Sequence, residues 1–325
     1  MIFGFHGVEN WRGARAWEKV RSEWEARGEK LRVEEFMPEP VPDEENFAKH
    51  PVVVAETMSG ARLYGPKAGE IAGFSGVRSI WRATPDLGEP VDVTLWLPVA
   101  DRLADESGLA RRCLELMAVQ EERMAGVAEA VRRPGSDLEL RGGQGRYDER
   151  WTNILLFSAL GWADAYTSRA LLHMRAGNGE EALRDVETCL WLVEKMEADP
   201  LVIGVLVEMA IMRASLIAVW EGLREHVWTE EQLKVLEARL GAFDYPERGM
   251  EALRCEAAYT AEICDYLRDH REEIPMSSDI LDWMITSSSP AWWDDGVREA
   301  EDALVFLVPG GWFDQIRATS WTVLD

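Results

Sequence analysis

The sequence predicts an all-α protein, arranged as a multi-helix bundle or an irregular α-solenoid of antiparallel helical hairpins, with an extended, proline-rich N-terminal arm. Three observations support this fold class. Apolar residues recur at steps of three and four through most of residues 101–325, which is the spacing of one helical face. Glycine, asparagine and proline separate these segments where helices would end. The chain has 325 residues, of which 47% are hydrophobic, so it can bury a large core.

The clearest element is a helical hairpin followed by a third helix, within residues 151–223. The first two helices are separated by residues 175–179, where glycine and asparagine accept the left-handed conformation that closes a helix. This turn resembles the inter-helix turn of a tetratricopeptide repeat, although no second copy follows at a fixed period. Asp199 and Pro200 then start the third helix. Residues 201–223 are apolar on nearly every side, so we expect them to form a buried central helix.

The N-terminal third has a different pattern, and we expect residues 1–100 to form a helix plus an extended arm that wraps over a helical domain of residues 101–325. Glu9 or Asn10 is placed to cap a helix that runs through Trp24. Alternating prolines in residues 37–45 favour extended backbone. Residues 91–97 alternate in a strand-like way, so a pair of strands is an alternative for part of residues 51–100. Met1 to His6 lacks the features of a signal peptide.

Composition limits the possible partners and cofactors. A formal charge of −24 argues against binding to nucleic acid or to anionic lipid, because both repel such a surface. The four cysteines are scattered without a zinc-ligand spacing, and three of them fall on apolar helical stripes. Glu262, Asp265 and Asp269 share a helical face beside His270, but this face lies opposite the apolar stripe and we expect it to be solvated. We therefore predict neither a cofactor nor a metal site.

Three residues are candidates for a buried polar site. Glu208 and Arg213 are charged residues near the middle of the third helix, and a buried carboxylate with a partner is a site candidate. The alternative is an inter-helix salt bridge, which we favour. The same charges favour a core helix over a membrane span, although the segment is long enough to cross a bilayer. His173 lies on an apolar stripe, where a hydrogen-bonded core histidine is the more common interpretation than a catalytic one.

A second candidate surface lies near the end of the chain. Trp292 and Trp293 are followed directly by Asp294 and Asp295. Aromatic rings beside carboxylates can stack on sugars, and paired carboxylates are the catalytic groups of glycosidases. The alternative is that one ring lies in the core and the other under a loop, which we favour.

Four long motifs resemble those of an uncharacterised group of bacterial all-helical proteins. They occupy residues 10–18 (N-W-R-G-x-R-A-W-E), 38–48 (P-x-P-x-P-D-E-x-N-F-A), 220–233 (W-E-G-L-x-x-H-x-W-T-x-x-Q-L) and 309–315 (P-x-G-W-F-x-Q). The resemblance covers most of the chain but implies no activity. Members of this group carry an apolar anchor before the first motif, where this chain has only residues 1–5. The resemblance therefore implies membrane attachment only through an anchor not present in this chain.

Two functional hypotheses follow. The first, which we favour, is a non-enzymatic, envelope-associated helical scaffold that binds a protein partner as a monomer or homodimer. The alternative is a carbohydrate-active helical enzyme or glycan-binding protein that uses the carboxylates near Trp292. An extracytoplasmic or membrane-associated location follows if the resemblance holds, and a cytoplasmic one otherwise.

Overall fold

The computed structural model describes residues 2–63, 91, 106–138, 149–271 and 309–324, and these residues are helical without any strand. The fold is therefore all-α. The helices in chain order are α1 (Ile2–Ala26), α2 (Pro51–Leu63), α3 (Glu106–Met117), α4 (Glu121–Ala130), α5 (Glu149–Arg175), α6 (Gly179–Met196), α7 (Val202–Arg224), α8 (Glu230–Leu240), α9 (Tyr245–Asp269) and α10 (Gly310–Thr322).

The chain divides into two units, and the first is discontinuous in sequence. Met1–Phe36 and Met250–Asp325 form the first unit, whereas Met37–Gly249 forms the second, so one boundary falls inside α9. Neither boundary coincides with the one expected at residue 100, which lies outside the described residues. Within the range expected to be an extended arm, Pro51–Leu63 is instead a helix, α2.

The core of the second unit is built on three helices that pack pairwise against one another, α5, α6 and α7. Helices α2 and α3 pack on α5, and α8 packs on α6. The apolar stripe that predicts α5 is the stripe that the structure buries, from Leu155 through Trp162 and Tyr166 to Ala170. Phe47 is fully buried beside Trp162, with the rings edge to face and their centroids 6.4 Å apart.

Helices α1, α5 and α7 end in the same hydrogen-bonded motif. After α5, the amide of Gly177 donates to the carbonyl of Met174, and the amide of Asn178 donates to the carbonyl of His173. This pair of bonds defines a Schellman motif, which requires a left-handed residue after the helix. Gly177 supplies it with φ +84°. At the end of α7 the left-handed position is held by His226, with φ +53°, which costs more than glycine would.

In the first unit, α1 packs along α10. Trp24 on α1 and Trp321 on α10 are both buried, with ring centroids 5.0 Å apart. Near the other end of the pair the two backbones approach so closely that a Cβ added at Gly13 would collide with the carbonyl group of Gly311. The segment after α1 is fixed to α9 by Glu262, whose Oε1 accepts a hydrogen bond of 2.9 Å from the amide of Val33.

Helix α7 departs from the sequence prediction, because one side of it is exposed. Ile211 is fully buried, but Leu206 is 55% exposed and Trp220, expected in the core, is 42% exposed. Within the described residues α7 is long and apolar enough to cross a membrane, yet 61% of its most apolar window is buried in the protein. A helix that is apolar all round is predicted to be buried all round. That prediction is wrong here.

The two sides of α7 should respond differently to the same truncation. Ile211→Ala is expected to lower the free energy of unfolding by about 2–4 kcal/mol, because it leaves a cavity among α5, α6 and α7. Leu206→Ala should change it by less than about 0.5 kcal/mol, because the side chain is largely in water. Urea melts of both variants measure this difference. Equal losses would show that the outer side of α7 is covered.

Candidate functional site

Glu208 forms a deeply buried ion pair on α7, and its partner is Arg248. Only 1% of Glu208 is exposed, and its Oε1 accepts hydrogen bonds from Nη2 of Arg248 at 2.9 Å and from Nε at 3.3 Å. The same Nη2 also donates to the carbonyl oxygen of Glu197 at 3.0 Å and to that of Asp199. One guanidinium thus ties the end of α6 to α7 and α9. The hydroxyl of Tyr245 is buried without a hydrogen-bond partner among the described residues, and desolvation, with a smaller contribution from the charge of Glu208, raises its pKa.

The favoured interpretation of Glu208 as an inter-helix salt-bridge residue therefore agrees with its geometry, but Arg213 does not share its site. Arg213 is exposed and makes no ion pair with any other described residue. The reason lies in helix geometry: five residues at ~100° each place the two side chains ~140° apart around α7. Glu208 and Arg213 therefore cannot share one site.

The pKa of the Glu208 carboxyl differs between the folded and the unfolded protein, because folding buries it. Desolvation raises the pKa of its carboxyl to about 7, against the opposing attraction of Arg248 and with a further increase from the charges of Glu197 and Asp199. Because the folded pKa lies above the unfolded one, the native state binds more protons between pH ~4.5 and ~7. The resulting stabilisation is complete below that window and is lost as the pH rises through it.

Replacing Glu208 by glutamine should remove this dependence. The wild-type protein is expected to lose about 2–3 kcal/mol of stability between pH 5 and pH 8 through this carboxyl, at ~1.4 kcal/mol per pKa unit. In Glu208→Gln that contribution should vanish, while the contributions of all other groups remain in both proteins. Urea melts at both pH values give the difference. The same pH dependence in both proteins would contradict a raised pKa at Glu208.

A second buried ion pair joins α5 to α6. Arg169 makes two parallel hydrogen bonds to Asp185, from Nε to Oδ2 at 3.0 Å and from Nη2 to Oδ1 at 2.7 Å, and a third to Glu121 at 2.7 Å. Asp185 is buried, and desolvation raises its pKa to about 6 although Arg169 lowers it. Sequence analysis missed this pair. A usable indication was present, because both residues stand eight positions from Gly177 and a hairpin brings such positions opposite each other.

His173 lies one turn from Arg169 on α5. It is half-buried, and its Nδ1 is buried with no hydrogen-bond partner among the described residues. This differs from the hydrogen-bonded core histidine that its position on an apolar stripe favours. Desolvation, with a smaller contribution from the charge of Arg169, lowers the pKa of His173. The lowered pKa favours the neutral form of the ring. The structure shows no contact between His173 and Glu208, so the three residues proposed for a buried polar site do not form one.

A third buried carboxylate, Glu221, binds a distant part of the backbone. Its Oε1 accepts a 3.0 Å hydrogen bond from the amide of Val91, and its Oε2 accepts bonds from Arg175 at 3.1 Å and Arg224 at 2.8 Å. Arg175 also donates to the carbonyl oxygen of Val91 at 3.4 Å. Both polar backbone groups of Val91 are thus held by charged side chains, Glu221 near the end of α7 and Arg175 at the end of α5. The role of Glu221 is to anchor this residue.

The first motif of the resemblance and the preceding Glu9 contact the fourth motif in the first unit. Glu9 Oε2 accepts hydrogen bonds from Trp312 Nε1 at 3.2 Å and from Gln315 Nε2 at 3.1 Å, while Asn10 Oδ1 accepts one from the amide of Gly311 at 2.8 Å. The expectation that Glu9 or Asn10 caps a helix is therefore wrong. Helix α1 starts before them, at Ile2, and their side chains bind α10 instead.

The second and third motifs also supply contacts within the fold. Asn46 accepts hydrogen bonds from the amides of Ala48 and Asp137, donates to the carbonyl of Asp137 at 2.9 Å, and forms an isolated parallel bridge with Gly135. In the third motif, Thr229 and Gln232 form a capping box at the start of α8. This motif also holds Gly222, where an added Cβ would fall within the ring of Trp228.

The exposed side of α7 is a continuous row of side chains. We refer to it as the α7 stripe, and it consists of Leu206, Met209, Arg213, Leu216, Trp220 and Leu223. Leu216 is half-buried and the other members are exposed, with Met209 at 50%. Large apolar side chains in a contiguous exposed row are characteristic of surfaces that bind a partner.

Two sequence hypotheses fall on other parts of the chain. Trp292, Trp293, Asp294 and Asp295 lie outside the described residues. Glu262 accepts a hydrogen bond from the amide of Val33, and Asp265 forms ion pairs with Arg268 and Arg317. Among the residues that the structure describes, no group of three or more His, Cys, Asp or Glu side chains is placed to hold a metal ion.

The buried carboxylates Glu208, Asp185 and Glu221 thus connect helices, and the α7 stripe is one of the exposed apolar surfaces in the described part of the chain. Several residues of the four motifs make helix contacts or form helix ends, among them Asn10, Gly222 and Thr229. Neither a family model nor a curated protein nor a solved structure matches this chain.

Proposed function

We propose that this chain is a non-enzymatic helical scaffold that binds a protein partner through the α7 stripe. The observation that carries the proposal is that α7 has one buried side and one exposed apolar side. One side, represented by Ile211, is fully buried against α5 and α6, and the other side presents large apolar residues to solvent. Exposing Leu206, Met209 and Trp220 on one helix is costly for an isolated protein and is explained by a partner that covers them.

The buried charges support a scaffold role over a catalytic one. Catalytic carboxylates combine a raised pKa with access to substrate. Glu208 and Asp185 have raised pKa values, but each is buried and bonded to an arginine that ties two or more helices together. Their perturbation is explained by desolvation at structural ion pairs.

Site-specific photo-crosslinking tests this proposal in the cells that naturally produce the protein. A photoreactive amino acid at Met209 should give a covalent adduct with another polypeptide, because the stripe is expected to be covered in the cell. The control position is Lys234 on α8, which is also solvent-exposed but lies on a charged surface beside Glu230. Equal adducts at the two positions, or none at Met209, would contradict the proposal.

A further inference from the structure

The spacing of the α7 stripe indicates what kind of element covers it. Its members follow one another at steps of three, four, three, four and three, so that Leu206, Arg213 and Trp220 share one heptad position. Met209, Leu216 and Leu223 share the other. A strict two-position heptad is the pattern of a coiled-coil seam, whereas a helix facing a globular core carries a wider apolar stripe. The spacing of the stripe therefore matches that of a helix that packs against a second helix by knobs-into-holes contacts.

Arg213 interrupts the apolar character at the centre of the stripe. It is seven residues from Leu206 and seven from Trp220, which is ~10 Å along the helix axis in each direction. It is exposed and makes no ion pair within the described residues. A charge covered at such a position is costly unless an opposite charge meets it, and a single polar residue at a seam position fixes register and partner.

We infer that the α7 stripe binds an amphipathic α-helix of a different protein, with apolar residues at its seam positions and a carboxylate opposite Arg213. This inference rests on the proposed function and specifies its partner. A guanidinium and a carboxylate match in charge and in hydrogen-bonding geometry, so the pair would supply selectivity while the leucines and Trp220 supply apolar burial.

The same geometry disfavours two other occupants. In a twofold pairing of this chain with a second copy, parallel or antiparallel, the two Arg213 side chains would lie within about one turn of each other across the seam. Such like charges oppose association. A lipid bilayer would have to accept Arg213 in the middle of the inserted face, whereas interfacial helices keep their basic residues on the polar side.

The inference is tested with two synthetic 21-residue helical peptides that carry leucine at the seam positions. They differ only at the central position, which is glutamate in one and lysine in the other. Fluorescence anisotropy with the full chain should show the glutamate peptide binding at least about tenfold tighter, a difference of about 1.4 kcal/mol. In Arg213→Glu the preference should reverse. Binding of neither peptide, or equal affinity for both, would overturn the inference.

Leu206→Glu separates this inference from the proposed function. The variant should fold normally because Leu206 is exposed, and it should weaken the binding of either peptide. If it does so but the peptide charge has no effect, the stripe is a binding surface and only the inferred carboxylate is wrong. If both peptides bind and Leu206→Glu has no effect, the stripe is not the binding site, and the proposed function fails with the inference.

Two further results would overturn the inference. One is a dimer of this chain that Leu206→Glu dissociates in sedimentation, and the other is binding of the chain to phosphatidylcholine vesicles.

Discussion

Gly13→Leu is expected to separate α1 from α10 and to cost at least about 4 kcal/mol. The obstacle is backbone, since a Cβ at Gly13 would collide with the carbonyl group of Gly311, and a Cβ at Gly311 would collide with that of Glu9. A side chain can rotate away from such a contact, but a helix backbone cannot. Separation would expose Trp24 and Trp321, and loss of a buried tryptophan alone costs about 3–5 kcal/mol.

Gly7→Leu provides the matched control on the same helix. No atom lies within 4 Å of a Cβ added at Gly7, so leucine there should be neutral or stabilising by up to roughly 0.8 kcal/mol through helix propensity. Hydrogen exchange resolves where the effect acts. In Gly13→Leu the amides of α1 and α10 should lose protection, while those of α5, α6 and α7 keep theirs. Wild-type protection of α1 in this variant would show that the close backbone contact does not exist in solution.

Arg248→Met is expected to destabilise the second unit by about 3–5 kcal/mol at pH 8. Methionine keeps much of the apolar stem but leaves the carboxylate of Glu208 buried and unpaired, which is the costly half of a broken buried ion pair. It also removes the donor to the carbonyl oxygens of Glu197 and Asp199 at the end of α6. Buried acceptors that lose their donor add to the cost.

Arg213→Met is the control for Arg248→Met, because it removes the same charge from an exposed position of α7. It should change the free energy of unfolding by no more than about 0.5 kcal/mol. The double variant Arg248→Met, Glu208→Gln should recover part of the loss, since no unpaired carboxylate remains. Urea melts at pH 8 measure all three proteins. A loss in Arg248→Met no larger than in Arg213→Met would show that the Glu208–Arg248 bridge does not contribute to stability.

The parts of the fold that were predictable from sequence are those set by local chemistry. The turn at Gly177 and the capping box at Thr229 depend on a few neighbouring residues, and both lie where the pattern indicates. The stripe from Leu155 to Ala170 also follows from spacing alone. In these cases the residues that decide the structure are adjacent in the chain.

The failures concern contacts between distant residues. The apolar side chain of Leu206 would gain free energy from burial. Only the arrangement of the neighbouring helices decides which side of α7 is covered, and Leu206 lies on the exposed side. Glu9 is placed in the sequence where it could cap a helix. Its side chain instead binds α10, more than 300 positions away. Arg213 differs from these cases, because helix geometry alone excludes it from a site shared with Glu208.

The pairing of α1 with α10 also determines the order in which the protein can fold during synthesis. Asn10 and Gly311, which are hydrogen-bonded in the native protein, are 301 positions apart. At ~5–20 residues per second, a ribosome needs about 15–60 s to reach the second after making the first. During that interval the second unit can emerge and fold, while α1 has no α10 to pack against and Trp24 stays unburied. Nascent chains that carry α1 but end before α10 should therefore be the species most dependent on chaperones.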